Sequence, residues 1–549
     1  MAERSTSFPD FSPTAGQLIR AGARRDGGGD KVLAVLGDVR LTYADADACS
    51  ARLARGLLAS GVGKGSRVGL LAPNGPDWIV GWLAAARIGA VVSMLNTYAK
   101  AQELHWLLRH ADVSLLLTAE RYLGHDYLDR LEAAVPGLDG ASHEHIFLPS
   151  HPFLRSVWTW GAAERRWAGP VEDLARRADR VSDDLLAEAE AEVTPADPMV
   201  VVYSSGSTSA PKGAIHSHGA VVRHAHNLWQ FRDLTADDIL YTPMPLFWVG
   251  GISFTLVAAM HAGATLVFED RFEPGATLDL IEKERVTQVL GWPHMAKALS
   301  DHPSYPDHDL SAVRGGTLAA LIPNRDPSDG PRANALGMTE TLGPHTFESK
   351  ENTLPPDKAG SFGRSVPGVE HKVVDPVTGA DLPVGRTGEL CVRGYPVMLG
   401  LHKVEREQVF TADGWYRTGD GGHFDADGHF YYEGRLGDLI KSSGMNITPR
   451  DVEVALEAMP EVVMAFVTGI DHPERGQDVV AAIALDPCAS LDAETACARL
   501  KQDLASYLVP RHIAVFADQH KLPWLDSGKV DRRRLTAMLE ERFATGGSV

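Results

Sequence analysis

Along this chain, short apolar runs alternate with longer stretches in which apolar residues recur every three or four positions. "RVGLLAP", "GAVVSML", "VSLLLTA" and "HIFLP" each stand beside such a helical pattern. A run with no polar face suits a strand buried on both sides, so the alternation predicts parallel sheets covered by helices. "KVLAVLGDVRLTY" predicts a hairpin turning at Gly37 and Asp38, and "LARGLLASGV" a helix that closes on glycine. The longest apolar stretch, residues 241–268, lacks Asp, Glu, Lys and Arg. Prolines and glycines interrupt it, which predicts a buried helix and strand rather than a bilayer span.

The pattern changes after Gly360. "HKVVDPVTGADLPVGRTGELCVRG" has the turn density and short alternating strands of a small β-rich unit. Near Gly434 it shifts again, through a glycine-bearing link into a helix, two strands and a further helix, about the size of a small α+β domain. The predicted fold is therefore α/β. Residues 1–434 form a large N-terminal domain of helix-covered mixed or parallel β-sheets plus the β-rich subdomain, 435–438 a hinge, and 439–549 a small α+β C-terminal domain.

"YSSGSTSAPKGAIHSH", residues 203–218, interrupts the apolar texture with hydroxyls, glycines and a lysine. Glycines let successive N–H groups face one concavity, which suits an anion, and Lys212 adds a mobile positive charge. "DPMVVVY" before it predicts a strand, and "GAVVRHAHNLWQF" after it a helix with Ser217 as N-cap, so the loop is expected to join strand to helix. It is not a Walker loop, because Gly213 follows Lys212 where a magnesium-binding Ser or Thr is required. His216, His218, His224 and His226 cluster just beyond, but i and i+2 pairs lie on different helix faces and no cysteine accompanies them, which disfavours zinc.

Composition narrows the function. A formal charge of −19 over 549 residues would repel a phosphate backbone, which argues against a nucleic-acid partner and leaves any polyanionic ligand to local cations. Four scattered cysteines with no C-x-x-C pair indicate neither a zinc site nor a disulfide framework and fit a reducing cytoplasm. The first residues lack the apolar core of a signal peptide.

With its companions, the hydroxyl loop resembles the phosphate loop of the adenylate-forming superfamily of acyl-CoA synthetases, luciferases and peptide-synthetase adenylation domains. "ALGMTET" resembles its threonine–glutamate motif and "TGELCVRG" and "DGWYRTGD" its ribose-side motifs. "GRLGDLIKSSGMNITPRDVE" resembles its hinge and "LPWLDSGKVDRRRL" its terminal lysine motif, in the family's order and across nearly the whole chain. The resemblance implies an ATP-dependent acid–CoA ligase using Mg2+ and coenzyme A. A carboxylate attacks the α-phosphate of ATP to give acyl-AMP and pyrophosphate, a step that needs charge stabilisation rather than a general base.

It further implies that Ser204, Ser205, Gly206, Ser207, Thr208 and Lys212 hold the β- and γ-phosphates, with Thr208 and Glu340 serving the metal and Thr339 the α-phosphate. Gly315, Leu336, Gly337 and Met338 fall on the adenine side, and Asp420 and Arg435 on the ribose. Lys529 bridges carboxylate and α-phosphate. For transfer to CoA, the C-terminal domain swings about Gly437 and brings Lys441 and Gly444 to a pantetheine tunnel. Trp248, Gly251, Gly291 and Gly316 line the acyl pocket, and the glycines there would leave room for a bulky fatty, aromatic or polycyclic acid.

The chain departs from the family where Leu336 replaces an adenine-stacking aromatic, Arg314 a serine and Trp248 a common histidine. No aspartate is placed to pair with an α-ammonium, and no insertion near the hinge marks a carrier-protein ligase. An acyl-AMP ligase loading a carrier protein, a luciferase-like oxygenase and a catalytically silent acyl-adenylate binder stay open as alternatives. The oligomeric state is also open, with a homodimer among the options.

Overall fold

The computed structural model describes residues 8–25, 29–204, 211–318, 321–322, 334–348, 354–438, 440–442, 445–447, 449–472, 476–504, 508–525 and 530–544. They divide into two compact units, Met1–Glu370 with Arg393–Gly414, and His371–Val392 with Trp415–Val549.

The first unit is built on two large sheets. One has eight strands, in the spatial order Gly400–Leu401, Lys212–Ser217, Pro198–Ser204, Val91–Met94, Arg67–Leu71, Leu115–Ala119, Ser156–Trp160 and Ala168–Pro170. From Pro198–Ser204 onward the pairings are parallel. Val91–Met94 and Leu115–Ala119 are buried at every position, which is why they read as uninterrupted apolar runs. The crossover helix Pro76–Arg87 starts on a proline whose missing N–H costs nothing in the first turn, and buries Trp78 and Trp82 stacked at 6.2 Å. The other sheet has six strands, ordered Gly315–Gly316, Gln288–Val289, Ile239–Tyr241, Thr265–Phe268, Val32–Leu36 and Val39–Thr42. The hairpin expected at Gly37 closes it, with Leu36 opposite Val39 and Gly37 at φ 57°.

Two expectations are corrected. "HIFLP" forms no strand: Ile146 is buried but Phe147 is 68% exposed, and the sheet instead takes in Ser156–Trp160. The hydroxyl loop joins strand to strand. Lys212–Ser217 returns antiparallel to Pro198–Ser204, with Ser204 opposite Lys212, before Ser217 caps the helix His218–Phe231 by accepting the Ala220 N–H. The stretch 241–268 is core: a wide-turn π-helix Gly250–Val257, a helix Ala258–Ala262 and the strand Thr265–Phe268. Among the described residues no helix is long and apolar enough to cross a membrane.

The second unit holds most of a four-stranded sheet, Val369–Val374, Gly388–Gly394, Tyr416–Phe424 and Phe430–Arg435 in that order. It also holds a five-stranded sheet whose central hairpin pairs Val462–His472 with Gly476–Leu485, flanked by helices Pro449–Glu457 and Ala493–Asp503.

Candidate active site

The sequence motifs of the first unit meet around the strand Lys212–Ser217. Ser204 stands opposite an exposed Lys212 in this strand pair, and Ser205, Gly206, Ser207 and Thr208 lie outside the described residues. The base of the hairpin is anchored from the side. Tyr203, the last residue before Ser204, shares a 3.0 Å hydrogen bond with His110 Nδ1, and the His110 ring stacks on Trp106 at 4.3 Å. Burial raises the Tyr203 phenol and lowers His110 to about 4, so both are neutral near pH 7.

Thr339 and Glu340 sit on a one-turn 3₁₀ segment, Thr339–Thr341, between the strands Leu336–Met338 and Gly343–Phe347. The return is tight. Leu342 and Gly343 take φ of 59° and 103°, and a Cβ on Gly337 would lie 2.5 Å from the Gly343 carbonyl carbon. The peptide groups of the turn are held from outside. The Thr339 carbonyl accepts from Leu342 N at 3.3 Å and from His216 Nε2 at 2.9 Å, and the Glu340 carbonyl accepts from Met398 N at 2.8 Å. Next to Met398, Leu399 N donates to Ile215 O and His402 N to Gly213 O, so this segment hangs on the same strand as His216. The Glu340 side chain is half-buried and makes no hydrogen bond or ion pair with a described residue.

Three of the four histidines noted in the sequence make hydrogen bonds to described residues. His216 points to the Thr339 carbonyl, His218 Nδ1 accepts from Ala15 N, and His226 bonds Trp229 and Gln230. Sequence reasoning placed His216 merely at the exit of the loop; a histidine at an inward position of a buried strand was the signal.

Leu336 is buried, its N–H donating to Thr346 Oγ1 at 3.3 Å, and Met338 is half-buried. Arg314 turns to Asp238: Nε donates to Oδ1 at 3.0 Å and Nη2 to Oδ2, while the Arg314 N–H bonds Thr287 O. Its guanidinium thus braces the edge strand that carries Gly315 and Gly316.

Three glycines expected in the acyl pocket lie against close neighbours. A Cβ would fall 2.0 Å from Pro245 O at Gly251 and 2.0 Å from Val289 O at Gly316, which has φ 121°. At Gly291 it would meet Leu318 and Met295 at 3.2 Å. At Gly251 and Gly316 backbone takes the place of the absent side chain and at Gly291 two flexible side chains border it, so close packing gives these glycines a reason of their own. Trp248 is half-buried, edge-on to Phe247 at a centroid distance of 5.6 Å.

In the second unit Asp420 and Arg435 face each other across adjacent strands. Arg435 Nε lies 3.0 Å from Asp420 Oδ1 and its Nη1 donates to Thr418 O at 2.6 Å. The carboxylate is buried while the guanidinium stays half exposed. Gly437 is exposed, with nothing within 4 Å of a would-be Cβ. Lys441 lies on the strand Ile440–Ser442, its side chain outside the description, and Gly444 and Lys529 lie outside the described residues.

A family model described as AMP-binding enzyme matches residues 21–402, and one described as AMP-binding enzyme C-terminal domain matches residues 451–529. The indoleacetate–CoA ligase of Aromatoleum aromaticum is 32% identical over 90% of this chain and 93% of its own. The mitochondrial medium-chain acyl-CoA ligase ACSF2 of Danio rerio is 30% identical over 98% of this chain and 90% of its own. The solved structure of ATP-bound MatB from Rhodopseudomonas palustris shares the fold, with a TM-score of 0.77 at 24% identity over 97% of this chain and 100% of that one.

Proposed function

We propose that this chain, which belongs to the AMP-binding enzyme family of the adenylate-forming superfamily, joins a carboxylic acid to coenzyme A at the expense of ATP. The observation that carries this reading is similarity running through both halves of the chain to two acid–CoA ligases that act on chemically different acids.

In the first half-reaction a carboxylate oxygen attacks the α-phosphorus of ATP, the bond to the bridging oxygen breaks, and pyrophosphate leaves. Two anions must meet while negative charge spreads over the phosphoryl oxygens, so fixed positive charge and aimed donors dominate the catalysis. Ser204, the hydroxyls of Ser205, Ser207 and Thr208, the Gly206 backbone and Lys212 grip the β- and γ-phosphates, and Thr339 donates toward the α-phosphate. Glu340, half-buried and unpaired among the described residues, is the hard oxygen donor that Mg2+ takes, with Thr208 as its partner. When bound, the ion supplies positive charge to the phosphate oxygens. Asp420, held by Arg435, accepts from the ribose hydroxyls, while Gly315, Leu336, Gly337 and Met338 border adenine. Lys529 places its ammonium between the carboxylate and the α-phosphate.

In the second half-reaction the thiolate of CoA attacks the acyl carbon and AMP departs. Residues 435–438 serve as hinge between domains 1–434 and 439–549, Gly437 as pivot, and Lys441 and Gly444 meet the pantetheine arm. The acid is a monocarboxylate with an apolar body of medium-chain or arylacetic type, a choice that the two relatives' substrates support and Trp248 suits. A cytoplasmic setting belongs to the same proposal.

The test is pyrophosphate release across a panel of short, medium, long, arylacetic and polycyclic acids, followed by CoA consumption with the best acid. Activity with medium-chain or arylacetic acids, and thioester formed on CoA in preference to a phosphopantetheinylated carrier protein, is the expected result. Release with no acid, or acyl transfer to the carrier alone, would overturn the reading.

A further inference from the structure

We propose that His216 is a positioning residue for the adenylation half-reaction, its imidazole fixing the Thr339–Glu340 turn against the strand that leaves the phosphate hairpin. The inference rests on the ligase reading above and adds to it a residue whose role lies between two motifs rather than in either.

Thr339 and Glu340 lie on a single 3₁₀ turn whose ends are tied by the Thr341 hydroxyl, within reach of Met338 O at 3.3 Å and Gly343 O at 2.9 Å, which leaves the carbonyls of Thr339 and Glu340 to be held from elsewhere. The Leu342 N–H closes onto the Thr339 carbonyl at 3.3 Å. The second lone pair of that carbonyl is taken by His216 Nε2 at 2.9 Å, across 123 residues of sequence. The next carbonyl, Glu340's, is taken by Met398 N, from a segment that itself pairs with Lys212–Ser217 through Leu399 N to Ile215 O and His402 N to Gly213 O. Both peptide oxygens of the pair are therefore pinned by groups anchored on one strand. That strand begins at Lys212, the cation of the phosphate hairpin. A small rotation of the turn would re-aim Glu340 and Thr339 together relative to the phosphates, while nothing else described holds the Glu340 carboxylate.

His216 suits this task. It is fully buried, and burial lowers its pKa to about 3, so the ring is neutral and keeps one N–H for the Thr339 carbonyl. Its Nδ1 finds no partner among the described residues, so the bond to Thr339 is its only described polar contact. A leucine or valine would fill the same core position without that cost, so a polar ring here answers to the carbonyl it serves.

The experiment separates the half-reactions, using an acid that gives pyrophosphate release with the wild type. His216→Leu removes the donor, and His216→Gln offers an amide N–H on a chain of similar reach. In His216→Leu, pyrophosphate release is expected to slow about 10- to 100-fold, with a raised Mg2+ requirement and little change in KM for the acid, as misplacement of a catalytic group by about an ångström does. Thioester formation from preformed acyl-AMP and CoA, which needs neither Glu340 nor pyrophosphate departure, stays within about threefold, and His216→Gln recovers most of the lost rate. Equal loss in both half-reactions with no recovery in His216→Gln would mark His216 as mere core packing and overturn the proposal, as would an unchanged rate and Mg2+ requirement in His216→Leu. A wild type that releases no pyrophosphate with any acid sinks the ligase reading instead, a result distinct from either.

Discussion

Arg87 shows how far a single side chain can shape the body that carries the site. It ends the crossover helix Pro76–Arg87 with only 1% of its side chain exposed. Nε donates to Glu190 Oε1 at 2.5 Å, Nη1 to Ser50 Oγ and Asp47 O at 2.8 Å, and Nη2 to Asp47 Oδ1 at 2.9 Å, while Arg20 reaches the other Glu190 oxygen. Burying such a pair gains little over apolar residues, but removing one partner leaves a charge stranded. Glu190→Ala is therefore expected to cost about 3 kcal/mol, the low end for a broken buried pair because Asp47 remains. Urea unfolding of the variant and of Glu190→Ala/Arg87→Met should show it, the double variant recovering part of the loss. A single variant as stable as the wild type would mean that Arg87 is solvated in solution. None of this was legible in sequence, where Glu190 reads as one acid among several in "LLAEAEAEV". The candidate site residues show the same limit. Asp420 and Arg435 could be named from their motifs, but that they pair across strands, and that Arg314 turns to Asp238, depends on neighbours distant in sequence.

At the scale of elements, strands with an unbroken apolar face could be read directly, and those with mixed faces could not. "SVWTW" hides Thr159 and half-hides Ser156 in a sheet covered on both sides, whereas the more apolar "HIFLP" leaves Phe147 in solvent. Lys212–Ser217 was missed because its partners include Gly400–Leu401, far away in sequence, and because its histidine and serine read as loop. That strand and the helix it feeds carry a consequence for pH. Burial lowers His216 to about 3 and both His218 and His224 to about 4, and on the neighbouring helix His261 to about 3, each from an unfolded value near 6.5. Between those limits the unfolded chain binds protons that the folded one refuses, so stability rises with pH across about 4 to 6.5 and is lost as pH falls through that window. Each such group contributes up to about 1.4 kcal/mol per pH unit there. The melting temperature is thus expected to fall steeply from pH 6.5 to 5 and to flatten above 7. A profile that is level between 5 and 7 would show these rings to be hydrated or charged in the folded state.

The whole molecule sets the electrostatic problem that its motifs must solve. With a formal charge of −19 it presents no general attraction to ATP, CoA or a carboxylate, so each anion must be met by a particular cation. In the proposed reading Lys212 and Arg435 serve the phosphates and the sugar side, which leaves the meeting of carboxylate and α-phosphate to Lys529, the last residue matched by the C-terminal family model. One donor at a developing charge in a site closed to water is worth about 3–4 kcal/mol, so Lys529→Ala is expected to slow pyrophosphate release at least ~100-fold. Because thiol attack on acyl-AMP discharges a leaving group already formed and brings no second phosphate anion together with the acid, the same variant should still convert preformed acyl-AMP and CoA to thioester. Rapid-quench measurement of the two half-reactions decides it. Loss confined to the first places the ammonium at the α-phosphate; equal loss in both would mean that Lys529 acts on binding common to the two steps, and no loss would leave the charge to be balanced by another cation.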